Sequence, residues 1–150
     1  TDVPVPADYD GDGKADPAVY RPTTGEWWIL RSSANYADYT ARAWGLPGDL
    51  PMPGDYDGDG KADLTVYRPS TADWWILTSS LKESTYRRQG WGKGGDVPVP
   101  ADYDGDGQTD LAIYRPATLS WWILWSSTNG ATYSTLGWGL PGDVPVRVGP

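Results

Sequence analysis

The sequence predicts an all-β fold made of β-propeller blades: three four-stranded units of about 47 residues, followed by an extra C-terminal strand. Three observations lead there: internal repetition, short strand-forming runs divided by turn residues, and the lack of any helical pattern. Shifted by 47 residues, the chain aligns with itself without a gap. DVPVPADYDGDGKADPAVYRPTTGEWWILRSS from Asp2 returns as DLPMPGDYDGDGKADLTVYRPSTADWWILTSS from Asp49 and as DVPVPADYDGDGQTDLAIYRPATLSWWILWSS from Asp96. A fourth copy opens with DVPV at Asp143 and then departs as RVGP. The chain therefore reads as one repeat domain, with units 2–48, 49–95 and 96–142 and a partial unit 143–150. The period lies between the ~40–45 and ~50 residues of known blade repeats, in which the repeating unit is a small sheet. No segment carries a capped apolar stripe at 3.6-residue spacing, so almost no helix is expected.

Each element of a unit has a local reason. The opening strands, Asp2 to Ala7 and Asp96 to Ala101, alternate Val with Pro. That suits an edge or irregular strand, because each Pro removes a ladder donor. After an acidic loop, Leu64 to Arg68 (LTVYR) and Trp74 to Leu77 (WWIL) are β-branched and aromatic runs, and Pro69 to Asp73 between them reads as a hairpin loop. A last strand covers Ser84 to Gly90 and ends at Trp91-Gly92. The WWIL runs are apolar on both faces, as expected of a sheet held between two neighbours. A unit this small cannot bury a core alone, so adjacent units must cover each other.

Composition narrows the chemistry. With 39% hydrophobic residues and ten Trp among 150 residues, the chain folds rather than staying disordered. It contains no Cys and no His, which removes disulfides, thiolate zinc sites and imidazole catalysis. No apolar run approaches the roughly 18 residues of a membrane span, so insertion is not expected. The opening at Thr1 reads as that of a processed or excised segment. A net charge of −8 argues against nucleic acid and anionic membranes as partners. Three divalent cations would bring that charge to −2.

The loop DYDGDGKAD from Asp8 to Asp16 is where those cations are expected. Counting Asp8 as position 1, carboxylates fall at positions 1, 3, 5 and 9, Gly13 holds position 6, and Lys14 offers a carbonyl at position 7. Odd positions of a tightly curled loop point inward and make an oxygen cage suited to Ca²⁺, which takes ~6–8 oxygens. The expected ligands are Asp8, Asp10, Asp12, Asp16 and the Lys14 carbonyl in unit one. In unit two they are Asp55, Asp57, Asp59, Asp63 and the Lys61 carbonyl. In unit three they are Asp102, Asp104, Asp106, Asp110 and the Gln108 carbonyl. The side chain at position 7 should point away, which is why Lys and Gln both serve. An EF-hand would need Glu at position 12 and a following helix, whereas position 12 holds Val19, Val66 and Ile113 in predicted strands. Three in-register copies of one ligand pattern distinguish these loops from ordinary polar turns.

The loop with its following strand and Pro, DYDGDGKADLTVYRP from Asp55 to Pro69, resembles the FG-GAP and VCBS repeats of integrin α-subunit propellers and many secreted bacterial proteins. The resemblance covers all three units. Trp44-Gly45, Trp91-Gly92 and Trp138-Gly139 stand where that family has Phe-Gly, and Tyr-Arg-Pro replaces its Gly-Ala-Pro. It implies a β-propeller with calcium between the first and second strands of each blade, in a secreted or cell-surface setting, used for adhesion or ligand recognition.

The remaining repeated residues read mainly as structure. The Trp pairs 27/28, 74/75 and 121/122 are expected between blades, and Arg21, Arg68 and Arg115 are expected to bond a loop carbonyl or the repeated Asp at 2, 49, 96 or 143. Trp125 is the candidate ligand contact, because its counterparts are Arg31 and Thr78 and repeat packing does not call for Trp there. An aromatic face of that kind would stack on a sugar. The chain is not expected to be an enzyme: Glu26 and Glu83 occupy different places in their units, and most Asp belong to the cages. The functions in view are a calcium-stabilised, lectin-like recognition module with a glycan or protein ligand, a structural propeller segment, or a non-catalytic part of a secreted hydrolase or lyase. Three units are too few to close a propeller of ~4–8 blades, so the others come either from a longer array of which this is part or from identical chains; self-association is the expectation, most simply two chains giving six blades.

Overall fold

The computed structural model of the chain describes residues 1–80 and 85–146. These residues form three four-stranded antiparallel sheets and contain no helix. Unit one runs β1 (Val3–Pro4), β2 (Ala18–Arg21), β3 (Glu26–Leu30) and β4 (Tyr39–Ala43). Unit two runs β5 (Leu50–Pro51), β6 (Leu64–Arg68), β7 (Asp73–Leu77) and β8 (Tyr86–Gly90). Unit three runs β9 (Val97–Pro98), β10 (Leu111–Arg115), β11 (Ser120–Leu124) and β12 (Tyr133–Gly137). Sheet order follows chain order in every unit, and the register repeats: Val19 faces Trp28, Val66 faces Trp75 and Ile113 faces Trp122.

The opening strands are shorter than the sequence implied. Val3–Pro4 pairs in register with β2, Val5 N–H still reaches the Ala18 carbonyl at 2.9 Å, and beyond it only an isolated bridge, Ala7 to Asp16, follows; the other units repeat this. Pro4 and Pro6 have no N–H to give, so a continuous ladder from Asp2 to Ala7 cannot form. The last strand of unit two begins at Tyr86, and Ser84 lies outside the described residues. The extra C-terminal strand is likewise corrected in its described part, since residues 143–146 form no strand, with Val144 and Val146 exposed. Its counterparts β1, β5 and β9 pair with the second strand of their own unit.

The core lies between the sheets rather than within any one of them. One face of unit one, made of Val5, Tyr20, Trp27 and Ile29, packs on Leu64, Val66 and Leu77 of unit two. The same face of unit two, with Met52, Tyr67, Trp74 and Ile76, packs on Leu111, Ile113 and Leu124 of unit three. Unit three repeats that face once more with Val99, Tyr114 and Ile123. Strand alternation divides each Trp pair. Trp27 and Trp74 are fully buried and donate Nε1–H to the carbonyls of Trp44 and Trp91, while Trp28 and Trp75 are half-buried on the opposite face.

The recurrent Trp-Gly follows from this packing. Gly45 has φ of 128°, and a Cβ there would stand 2.5 Å from the hydroxyl of the buried Tyr20. Gly92 and Gly139 have the same backbone and the same close tyrosine, Tyr67 and Tyr114. Only glycine combines that φ with so near an approach.

The repeated arginines hold each unit's entry point. Arg68 is bidentate to Asp49 through Nε and Nη2, both at 2.8 Å, and Arg115 holds Asp96 at 2.9 and 2.8 Å. Arg21 reaches Asp2 at 3.2–3.3 Å. The guanidinium carbons of Arg21, Arg68 and Arg115 also lie 5.4, 5.1 and 4.7 Å from the ring centres of Trp28, Trp75 and Trp122. Of the partners named in the sequence reading, the repeated Asp is therefore the one realised.

Candidate metal sites

Each acidic loop connects the first strand of a unit to its second and is curled by glycines at positions 4 and 6. Gly11 and Gly13 have φ of 82° and 83°, and the other two units repeat this within a few degrees. Those glycines aim their N–H groups at the position-1 carboxylate: Gly11 N–H reaches Asp8 Oδ1 at 2.6 Å and Gly13 N–H reaches Oδ2 at 2.8 Å. Asp55 and Asp102 accept the same pair.

The position-9 carboxylates anchor the cages from below. Asp16, Asp63 and Asp110 are fully buried. Each takes one backbone N–H from position 2 of its loop (Tyr9, Tyr56, Tyr103) at 2.9 Å and one from the second residue after its third strand (Ser32, Ser79, Ser126) at 2.7 Å. The chain thus invests two amides in fixing each of these carboxylates. Asp8, Asp10 and Asp16 bring their oxygens within 4.8 Å of one another, as do Asp55, Asp57 and Asp63, and Asp102, Asp104 and Asp110. Three Asp triads able to hold a metal ion are therefore present, one per blade.

Position 5 stands apart from these triads. Asp12, Asp59 and Asp106 accept instead from the hydroxyls of Ser32, Ser79 and Ser126 at 2.9–3.1 Å and from the position-7 N–H at 2.8–2.9 Å. The next serine in each unit, Ser33, Ser80 and Ser127, donates to the position-3 carboxylate at 2.5–2.6 Å. These serines were not among the residues picked from sequence, although RSS, TSS and WSS recur at the unit period and were a usable signal.

Burial acts on two carboxylates of the second cage. Burial pushes the Asp63 carboxyl up to about 6, with Asp57 adding to the effect against the N–H bonds of Ser79 and Tyr56. Burial likewise raises Asp55, helped by the charges of Asp59 and Asp57. The nearby lysine does not relieve them. The stem of Lys61 lies over Gly11 of the preceding loop, where a Cβ would be 2.9 Å from Lys61 Cε, and Gln108 lies over Gly58 in the same way. Lys61 and Gln108 therefore point out of their cages and clasp the preceding unit, whereas Lys14 turns back to its own loop, its Nζ 3.5 Å from Asp12 Oδ2, so the expected outward course of position 7 holds in units two and three only. Backbone bonds join the loops too: Ala62 N–H reaches the Asp8 carbonyl at 2.7 Å, and Thr109 N–H reaches the Asp55 carbonyl at 2.6 Å.

Trp125 is half-buried, with Nε1–H on Ser134 Oγ at 3.1 Å. It lines a cavity of about 40 Å³ with Tyr56, Arg87 and Asn129, small beside the ~300 Å³ at the lower end of ligand pockets. Larger grooves lie at the two blade junctions. One of about 440 Å³ is lined by Trp44, Val66, Arg68, Trp75 and Tyr86, and one of about 290 Å³ by the matching Trp91, Ile113, Arg115 and Trp122. Residues 55–113, from the second acidic loop to the second strand of unit three, match the family model described as an FG-GAP-like repeat. No curated protein and no solved structure matches the chain.

Proposed function

We propose that this chain, with its FG-GAP-like repeat over residues 55–113, is a calcium-stabilised, non-catalytic propeller module that recognises carbohydrate at its blade junctions. Calcium is favoured over other ions because the cages offer only oxygen donors, four carboxylates per loop, with none of the nitrogen or sulfur that zinc prefers. The position-1, -3 and -9 carboxylates hold the ion, and the position-5 carboxylate and position-7 carbonyl complete the shell. In the second cage the bound ion offsets the burial that raises Asp55 and Asp63. A setting outside the cell or on its surface accords with this reading, because extracellular calcium modules work at ~10⁻⁴–10⁻³ M. In the Asp57→Ala variant, calorimetric titration should count two ions where the parent binds three. Three undiminished ions would remove position 3 from the ligand set.

The observation that carries recognition is the groove built twice from the same positions. Trp44, Trp75 and Tyr86 give it aromatic walls, and Arg68 gives it a guanidinium whose Nε and Nη2 are held by Asp49, leaving Nη1 for a ligand hydroxyl. Aromatic faces beside a fixed polar donor suit a sugar ring, whose C–H face stacks while its hydroxyls bond. A glycan array probed in calcium should give a defined set of hits that Trp75→Ala loses. A blank array with the folded protein would leave the structural-segment reading in its place.

A further inference from the structure

Strand alternation sends the two neighbouring arginines of β8 to opposite faces of unit two. Arg88 pairs with Asp73 at 3.0 Å and lies over Trp75. Arg87 stands opposite Ile76, which belongs to the core shared with unit three, and so faces that unit. Among the described residues the Arg87 guanidinium has no carboxylate partner and no hydrogen bond. With Trp125, Gln108, Thr109 and Asn129 it lines the cavity of about 40 Å³ between units two and three. The amides of Gln108 and Asn129 and the Thr109 hydroxyl are likewise without a hydrogen-bond partner among the described residues. No Asp or Glu lines this cavity, in a chain with 20 acidic residues. A water-sized group needs ~10–15 Å³, so the space holds about three of them, the size of a carboxylate or sulfate group and not of a sugar ring.

The chain carries its own comparison for this cavity. At the junction of units one and two the packing residues are the same: Tyr9, Leu64, Leu77 and Ser79 stand where Tyr56, Leu111, Leu124 and Ser126 stand. The polar wall is not. Arg87 stands in place of Thr40, Gln108 of Lys61, Thr109 of Ala62 and Trp125 of Thr78. Blade packing is satisfied without these four residues, yet they gather at one point. Asn129 has another reason, since it shares a φ of 53° with its unit-one counterpart Asn35, a backbone that favours Asn. The cavity also adjoins a junction groove. Leu111 and Leu124 line the cavity, while Ile113 and Trp122, two residues along the same strands and on the same face, line the groove, a step of about 7 Å.

We propose that this cavity is an oxyanion site, taking a carboxylate or sulfate group that is either free or the acidic substituent of a saccharide. Arg87 supplies the charge from unit two, and its fork of N–H groups matches the spacing of carboxylate or sulfate oxygens. Gln108, Thr109 and Asn129 supply neutral donors from unit three, so the bound anion ties the two units together. The site does not depend on whether the grooves bind carbohydrate.

Titration calorimetry of the 150-residue chain in calcium, at constant ionic strength in chloride, tests it with sodium sulfate and with sodium galacturonate. Both should bind. Arg87→Gln and Asn129→Asp alter exposed residues, and each should weaken both anions at least ~10-fold, the scale of one hydrogen bond to a charged group. Lys93→Gln, which removes an exposed positive charge elsewhere, should leave both affinities unchanged. Galacturonate held more tightly than sulfate would identify a saccharide as the carrier, and sulfate held as tightly or more so would identify a free anion. Failure of both anions to bind, or undiminished binding by either cavity variant, would overturn the site. A blank glycan array beside an Arg87-dependent sulfate titration would remove the carbohydrate reading and leave this one standing.

Discussion

Chelation of divalent cations is expected to lower the melting temperature of this protein by about 15–30 °C. Each site filled at 100 times its dissociation constant adds ~2.7 kcal/mol, so three sites add about 8 kcal/mol. For a chain of 150 residues, one kcal/mol corresponds to roughly 2–4 °C. The structure makes so large an effect reasonable, because Asp16, Asp63 and Asp110 are fully buried carboxylates whose closest charged neighbours in the cages are other carboxylates. The Ala62–Asp8 and Thr109–Asp55 backbone bonds join one cage to the next, so the loss should appear as one transition and not three. Calorimetric scans in calcium and in EDTA measure it, and the transition should move upward with calcium concentration as mass action requires. An identical melt in both would remove the metal reading and leave the loops as acidic turns.

The cages were legible because their logic is local. Nine residues carry the donors and the glycines that curl them, so spacing alone placed Asp8, Asp10 and Asp16 together. The role of Asp12, Asp59 and Asp106 was less legible, because it depends on Ser32, Ser79 and Ser126, twenty residues further on and brought in by the third strand. The four strands of each unit, in order and type, followed from the repeat, while the extra C-terminal strand is absent from residues 143–146 and the opening strands came out too long because two prolines in five residues leave a ladder with too few donors. The Arg68–Asp49 pair could be anticipated as one of two options. Its position over Trp75 could not, since that depends on which face of the sheet each Trp takes. Trp74 and Trp75 are one residue type side by side, and composition treats them alike. The pleat sends one into the core and the other to the groove.

That division gives the other large expected effect. Trp74→Ala should destabilise the protein by about 3–5 kcal/mol, the usual cost of removing a large aromatic from a packed core. Trp74 is fully buried, lies 5.1 Å from Tyr67 between ring centres, and donates Nε1–H to the Trp91 carbonyl at 2.9 Å, so the substitution leaves both a cavity and a stranded acceptor. Its site is also the junction between units two and three, where Leu111, Ile113 and Leu124 rest on the same cluster, so unit three should loosen with it. Trp75→Ala should cost much less, about 1 kcal/mol. Its ring is half-buried, its Nε1 has no hydrogen-bond partner to lose, and the Trp44 bond it receives is to its backbone carbonyl, which alanine keeps. What it gives up is mainly the stacking of Arg68 and Arg88, at 5.1 and 5.6 Å, worth ~0.5–1 kcal/mol at a partly exposed site. Urea unfolding of the two variants in calcium makes the comparison. Equal losses would show that both indoles belong to the core and would take the aromatic wall away from the junction groove. A large loss for Trp74→Ala beside a small one for Trp75→Ala would place Trp75 in the wall of the junction groove, outside the core.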